Sequence, residues 1–277
     1  MQLRKGPNKA GLIGLLQPFC DAIKLFSKEN VNLLFYRYLI YYLSPIVALV
    51  ISLITWLRFP LFFSFISFNL RFLFLIRCIR LGVYSTILSG WSSNSNYSIL
   101  GRIRSIAQTL SYEICLVLIF FSFLFLLSRF NLKFFNLFQF KLDFYFLNLF
   151  FLFILILIFL AETNRSPFDF AEGESELISG FNTEYGRGGF ALIFIAEYSR
   201  ILFIRILFRF IIFGINIYSL FFFLKVILIS FSYIWIRARF PRYRYDLLIY
   251  LTWKKYLPIS LNYLIFFIIL KFLFIFL

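Results

Sequence analysis

The chain has 277 residues, 62% hydrophobic and 23% aromatic, and a formal net charge of +16 from 28 Lys and Arg against 12 Asp and Glu. That apolar load, which includes 44 Phe, excludes a soluble globular domain. Histidine is absent, and Cys20, Cys78 and Cys115 stand far apart with no C-x-x-C pair, so histidine-ligated haem, histidine metal sites and thiolate clusters are excluded within the chain.

In chain order, RKGPNKAG (4–11) is a basic turn. GLLQPFCDAIKLFSKE (14–29) is too short and too charged to cross a bilayer. Its Leu15, Leu16, Phe19, Ala22, Ile23 and Phe26 recur at helical spacing, with Asp21, Lys24 and Lys28 toward the other side. The pattern predicts an amphipathic helix lying in the interface, with Pro18 in its first turn. No cleavable secretory signal is visible: the first 38 residues hold six Lys or Arg and no apolar core of the required kind. Residues 1–38 are expected as basic turn plus interfacial helix, ahead of a single transmembrane domain over 39–277.

Seven apolar segments meet the length of about 20 residues needed to span hydrocarbon, at about 39–57, 69–89, 103–127, 146–162, 189–212, 218–236 and 257–276. The fold class is therefore all-α and polytopic, because only helices satisfy every backbone group within such a span. Alternation puts 1–38, 90–102, 163–188 and 237–256 on one face, with six, two, two and six Lys or Arg, taking loop ends generously. The opposite loops hold about five, so the first face is the one where the chain is synthesised, the matrix for a mitochondrial protein. Cations divided among loops in this way orient helices and meet anionic lipid. They do not form the single basic face that nucleic acid requires.

The loop AETNRSPFDFAEGESELISGFNTEYG (161–186) holds Glu162, Asp169, Glu172, Glu174, Glu176 and Glu184, half the acid of the chain. Pro167 argues against one continuous helix from Glu162 onward. If 172–176 is helical, Glu172 and Glu176 share a face and titrate as a coupled set. The plain alternative is a solvated acidic loop or a dock for a basic partner. Against it, Glu113 lies about ten residues, or about 15 Å, into its predicted span, Glu197 lies inside the next span but one, and Glu162 closes the span before the loop. Intramembrane acids are costly and mark ion or proton pathways, with ion pairing as the structural alternative. Glu197 with Arg200 at i,i+3 is a candidate pair. Glu113 finds a cation only across helices. The residues alone indicate proton handling beside a membrane surface, with a transporter or channel standing level with a redox subunit.

QLRKGPNKAGLIGLLQPFCDAIKLFSKE (2–29), GWSSNSNYSILGRIRSIAQTLSYE (90–113), the acidic loop, FIAEYSRI (194–201) and WIRARFPRYRYDLLIYLTWKKYLP (235–258) closely resemble, in order, the subunit-1 family of NADH:ubiquinone oxidoreductases. These are the quinone-site membrane subunits of respiratory complex I. The Phe-, Ile-, Leu-, Asn- and Tyr-heavy composition favours a mitochondrial inner-membrane copy.

The resemblance implies no redox cofactor in this chain. Ubiquinone is the substrate, and NAD and iron–sulfur clusters are held only by partner subunits. It implies contacts with peripheral-arm subunits that carry the clusters and with small membrane subunits. It also places Arg4, Lys5, Phe19, Asp21, Lys24, Arg242, Arg244 and Asp246 beside the quinone tunnel. Lys254 and Lys255 belong to the same later basic loop. Glu113, Glu162, Arg165, Asp169, Glu172, Glu174, Glu176, Glu184 and Glu197 are placed on the proton path.

A related membrane-bound hydrogenase or formate-lyase subunit would share the fold without the quinone, and would bring nickel into the assembly. A stand-alone channel would work in liposomes without a redox partner. Two departures from the family stand out. Arg77, Arg80, Arg205 and Arg209 occupy positions apolar or neutral in the family, and are expected to meet acids of lineage-specific subunits or cardiolipin headgroups, or to snorkel. The family's first helix has no counterpart before Gln2, so a short polypeptide of about 30–60 residues is expected to supply it in trans.

Overall fold

A computed structural model describes residues 6–29, 36–57, 70–127, 130, 139, 149–170, 173, 180–182, 184–212 and 220–276. The expectations for Arg4, Lys5, Glu172, Glu174 and Glu176 lie outside the described residues.

Among the described residues all regular structure is helical. The amphipathic segment forms α1 (Gln17–Ser27) with Pro18 in its first turn, as its sequence requires. None of its residues is buried, and Phe19 is 68% exposed. α1 lies against α6, which spans Arg187–Ile212.

The remaining helices are α2 (Tyr38–Leu57), α3 (Arg71–Ser92), α4 (Asn96–Leu127), α5 (Leu149–Glu162), α7 (Leu220–Arg239), α8 (Tyr245–Leu251) and α9 (Leu257–Phe276). Five segments among the described residues are long and apolar enough to cross a membrane: α2, α3, α4, Phe221–Arg239 and Tyr245–Leu273. The other two expected spans are also helical. α5 is 14 residues long, and α6 is 26 residues long but carries Glu197, Arg200, Arg205 and Arg209. The chain is a multi-pass α-helical membrane protein.

Two expected loops are shorter than their sequences suggest. The loop at 90–102 contracts to a turn around Asn94, whose φ of 51° is left-handed, and α4 starts at Asn96. Packing drives this. Gly90 lies so close to Arg102 that an added Cβ would come within 2.7 Å of the Arg102 Cβ, and Ser93 and Ser98 bond to each other across the turn at 2.7 Å. Arg102, read as a loop cation, is therefore buried. The basic loop 237–256 likewise gives way to helix at Tyr245. α8 passes into α9 through a π turn, Thr252–Tyr256, which ends two residues before Pro258. Proline clashes with the carbonyl four residues back, and a widened turn relieves that clash without ending the helix.

α2 packs on α3 and α6, and α4 packs on α3, α5 and α9. In lipid no hydrophobic force separates helix from solvent, so close van der Waals contact decides. Small buried residues supply it: Ser44, Ala48, Ser52 and Thr55 on α2, Gly82, Ser85 and Ser89 on α3. Their hydroxyls are satisfied by carbonyls one turn back, as in Ser85 to Gly82 at 2.8 Å. The other half of the core is aromatic, with Phe72 on Phe120 at 5.0 Å and Phe159 on Phe208 at 5.8 Å, both edge-to-face.

Candidate functional site

The site lies where α5 ends and the acidic loop begins. Glu162 is the last residue of α5, and the chain turns there through Asn164, with φ 49°. Gln108, buried on α4, holds the turn by donating from Nε2 to the carbonyls of Ala161 at 2.9 Å and Phe168 at 2.8 Å. The loop then meets the segment before α8. Tyr243 donates its amide to the Pro167 carbonyl at 3.1 Å and stacks on Phe168 at 5.5 Å, and Arg242 reaches Asp169 at 3.7 Å. Two regions far apart in sequence, the acidic loop and the late basic segment, are thus one surface.

Beneath the loop lies a narrow polar cavity of about 50 Å³, lined by Ser44, Ser85, Arg102, Glu162, Glu197 and Arg200 among others. One water needs about 10–15 Å³ on this measure, so the cavity has room for a few. Arg200 donates to the Ser85 hydroxyl at 3.3 Å and feels the charges of both Glu197 and Glu162. Gly82 makes room for it: a Cβ there would stand 3.0 Å from the Arg200 guanidinium. Arg165 meets Glu197 at 3.4 Å and lies over the Tyr198 ring at 5.1 Å. The sequence paired Glu197 with Arg200. Arg200 does feel the Glu197 charge, and Arg165 reaches the same carboxylate from the loop, which folds back over α6. The Glu162 Oε2 is buried with no hydrogen-bond partner, and so is the Asn164 Oδ1 in the same cavity. A carboxylic oxygen left this way beside water-sized space is suited to exchanging a proton.

Glu113, on α4, is buried and receives Nε of Arg80 from α3 at 2.8 Å. Arg80 was expected to find its acid in another subunit or in lipid. Its acid is in this chain. Arg205 and Arg209 lie over the rings of Tyr233 and Phe222 at 5.3 and 5.8 Å, and Arg77 is exposed.

The end of the acidic loop is tied to α2 and α3. Tyr185 stacks flat on Tyr41 at 4.4 Å. Its hydroxyl pairs with Ser44 at 2.9 Å and Ser92 at 3.0 Å and donates to the Ser89 carbonyl at 3.2 Å. Tyr41 donates to the Glu184 carbonyl at 2.7 Å. Burial pushes the Tyr185 phenol above its ordinary value, against the hydrogen bonds of Ser44 and Ser92. It stays a neutral donor. Gln108, Tyr41 and Tyr185 were missed by sequence reasoning. Gln108 gave a signal, a lone amide in a helix otherwise bound for the core, whereas the tyrosines gave none.

Next to the polar cavity, along the same two helices α2 and α6, is a larger cavity of about 360 Å³. Phe26, Tyr41, Tyr42, Pro45, Tyr185 and Leu192 contribute to its lining, with Gly186 to Gly189 at one edge. Through Phe26, α1 forms part of its wall. Asp21 and Lys24 lie on α1 and are exposed, Asp21 accepting from Gln17 at 3.2 Å. Arg244 and Asp246 pair with each other at 3.1 Å on the surface. The structure does not bring these four onto the cavity lining, whereas Asp169 and Arg242 meet.

The sequence matches a family model described as NADH dehydrogenase over residues 1–268. It is 58% identical over 275 residues to a protein of Anopheles quadrimaculatus named NADH-ubiquinone oxidoreductase chain 1, covering 99% of this chain and 88% of that one. Proteins of the same name from Locusta migratoria and Hylobates lar are 52% and 43% identical, over 99% and 98% of this chain and 87% of each relative. With a buried acid–arginine network beside the acidic loop and a family match over nearly its whole length, the chain belongs to the NADH dehydrogenase family.

Proposed function

We propose that the chain is a quinone-site membrane subunit of respiratory complex I in the mitochondrial inner membrane. It forms part of the ubiquinone tunnel and couples quinone reduction to proton translocation. The observation that carries this reading is a pair of neighbouring cavities, each lined in part by α2 and α6. The aromatic one has the size of a small-ligand pocket, for which about 300–1,000 Å³ is usual. It is walled in part by α1, the helix that meets the interface, where a lipid-soluble quinone arrives. The polar one holds Glu162, Glu197 and Arg200. Tyr41 and Tyr185 line the first, and the Tyr185 hydroxyl bonds Ser44, which lines the second. A change in the charge or position of a quinone headgroup is thereby felt one side chain away from the acids.

In this reading electrons come from iron–sulfur clusters and NAD in peripheral-arm subunits, and this chain supplies no redox group. The surface built by the acidic loop and the segment before α8 faces those subunits. Small membrane subunits receive the proton path beyond Glu113. Cardiolipin is among the lipids met by the basic loops.

The test is Glu162→Gln in the assembled complex, reconstituted in proteoliposomes. Proton pumping linked to ubiquinone reduction should fall, while electron transfer from NADH to an artificial acceptor is retained. Unchanged pumping per electron would exclude the assigned path.

A further inference from the structure

We propose that the cleft between α5, α6 and α7 binds the phosphodiester headgroup of an anionic membrane phospholipid. The cleft, about 390 Å³, adjoins the polar cavity at Thr163 and opens on the other side of the loop's first turn from Glu162. Arg165, Arg205 and Arg237 line it, together with Tyr198 and Tyr233. Among the described residues no Asp or Glu lines it. Glu197 answers Arg165 from outside the cleft.

Two polar atoms here have no hydrogen-bond partner though both are buried, the Nε of Arg205 and the hydroxyl of Tyr233. The Arg205 guanidinium lies over the Tyr233 ring at 5.3 Å, so the two donors belong to one spot. A buried donor left unsatisfied is costly, and one beside a cation calls for an anionic acceptor. A phosphodiester fits, since its two non-bridging oxygens accept from both donors and carry one negative charge. A neutral quinone carbonyl supplies no such charge.

The walls settle which phosphate. Leu160, Ile201, Leu202 and Ile234 are apolar, and Leu202 and Ile234 are 50% and 53% exposed on the outer surface of α6 and α7. In a helix bundle surrounded by hydrocarbon, that mouth is where acyl chains lie. Arg237 stands exposed near the end of α7, where a headgroup meets the polar interface. A free phosphate would satisfy the donors and leave the apolar mouth unused. The inference rests on the chain spanning a membrane and is independent of the quinone reading.

The experiment uses the whole complex purified in detergent, native beside Arg205→Leu and Tyr233→Phe. Tyr233→Phe removes one hydroxyl and leaves the packing, so it decides the matter if Arg205→Leu fails to assemble. After extensive washing, lipid is counted per complex by mass spectrometry. Thermal stabilisation of the washed complex is then titrated with phosphatidylglycerol in phosphatidylcholine vesicles. The native complex should retain one more anionic phospholipid than Arg205→Leu. Its phosphatidylglycerol titration should be about tenfold tighter than that of either variant, the usual scale for a hydrogen bond to a charged group. Phosphatidylcholine alone should stabilise all three equally. Equal retention and equal titrations would overturn the site. Equal stabilisation by inorganic phosphate with phosphatidylcholine would overturn the lipid assignment, as would a cross-link showing another subunit's side chain between Arg205 and Tyr233. Because pumping is not the readout, failure here leaves the reading of Glu162 untouched.

Discussion

Glu113 and Glu162 are both acids near the membrane interior, yet their surroundings differ in kind. Glu113 is held by a cation at 2.8 Å from a neighbouring helix, with its own side chain only 4% exposed and that of Arg80 59% exposed. Glu162 shares a small polar cavity with Arg200 and Glu197, and one of its oxygens is left without a hydrogen bond. Glu113 gives an oxygen to a close cation, whereas Glu162 keeps one oxygen free of any hydrogen bond. A carboxyl with an idle oxygen beside room for water exchanges protons readily. Of two acids assigned to one proposed path, Glu162 adjoins room for water and Glu113 is tied to a neighbouring helix.

The contrast is most exposed to failure at Glu162. Glu162→Gln should lower pumping-coupled ubiquinone reduction by about tenfold or more, the equivalent of about 1.4 kcal/mol on the limiting step. Glu113→Gln should lower it less. Equal losses in the two variants, measured on the same proteoliposomes, would erase the distinction. Next in size is Arg80→Leu, which strands the buried Glu113. Fully buried pairs cost about 3–5 kcal/mol when one partner is removed, and the exposure of Arg80 reduces that to about 1–2 kcal/mol. Thermal melting of the assembled complex should show the loss, and Arg80→Leu with Glu113→Leu should recover most of it.

Tyr185→Phe sharpens the other side of the comparison. It removes the hydroxyl that ties Ser44, Ser92 and the Ser89 carbonyl beside the Glu162 cavity. A stability loss of about 1–2 kcal/mol is expected, with the stack on Tyr41 retained. The smallest effect belongs to Asp169→Asn. Its pair with Arg242 is long, at 3.7 Å, and partly exposed, so less than about 1 kcal/mol is expected in the same melting assay.

The sequence announced what depends on local pattern. Helical spacing located α1, and Pro18 fixed where it starts. The run FFLFILILIFL located α5, and the crowd of carboxylates located the loop. What it hid depends on neighbours in space. The cation for Glu113 comes from Arg80, 33 residues earlier, and no window around SYEIC contains it. The turn at Asn94 was hidden because a string of Ser and Asn reads as a loop until Gly90 and Arg102 are known to interlock. The continuity of α8 with α9 was hidden because basic residues read as a loop and Pro258 as a boundary, whereas one π turn absorbs the proline.

Gln108 gives the bundle a detent. One amide nitrogen grips two carbonyls, one at the end of α5 and one in the loop. Because both acceptors share one donor nitrogen, any shift of α4 against α5 and the loop strains the two bonds together, so the register of three segments is held by a single side chain.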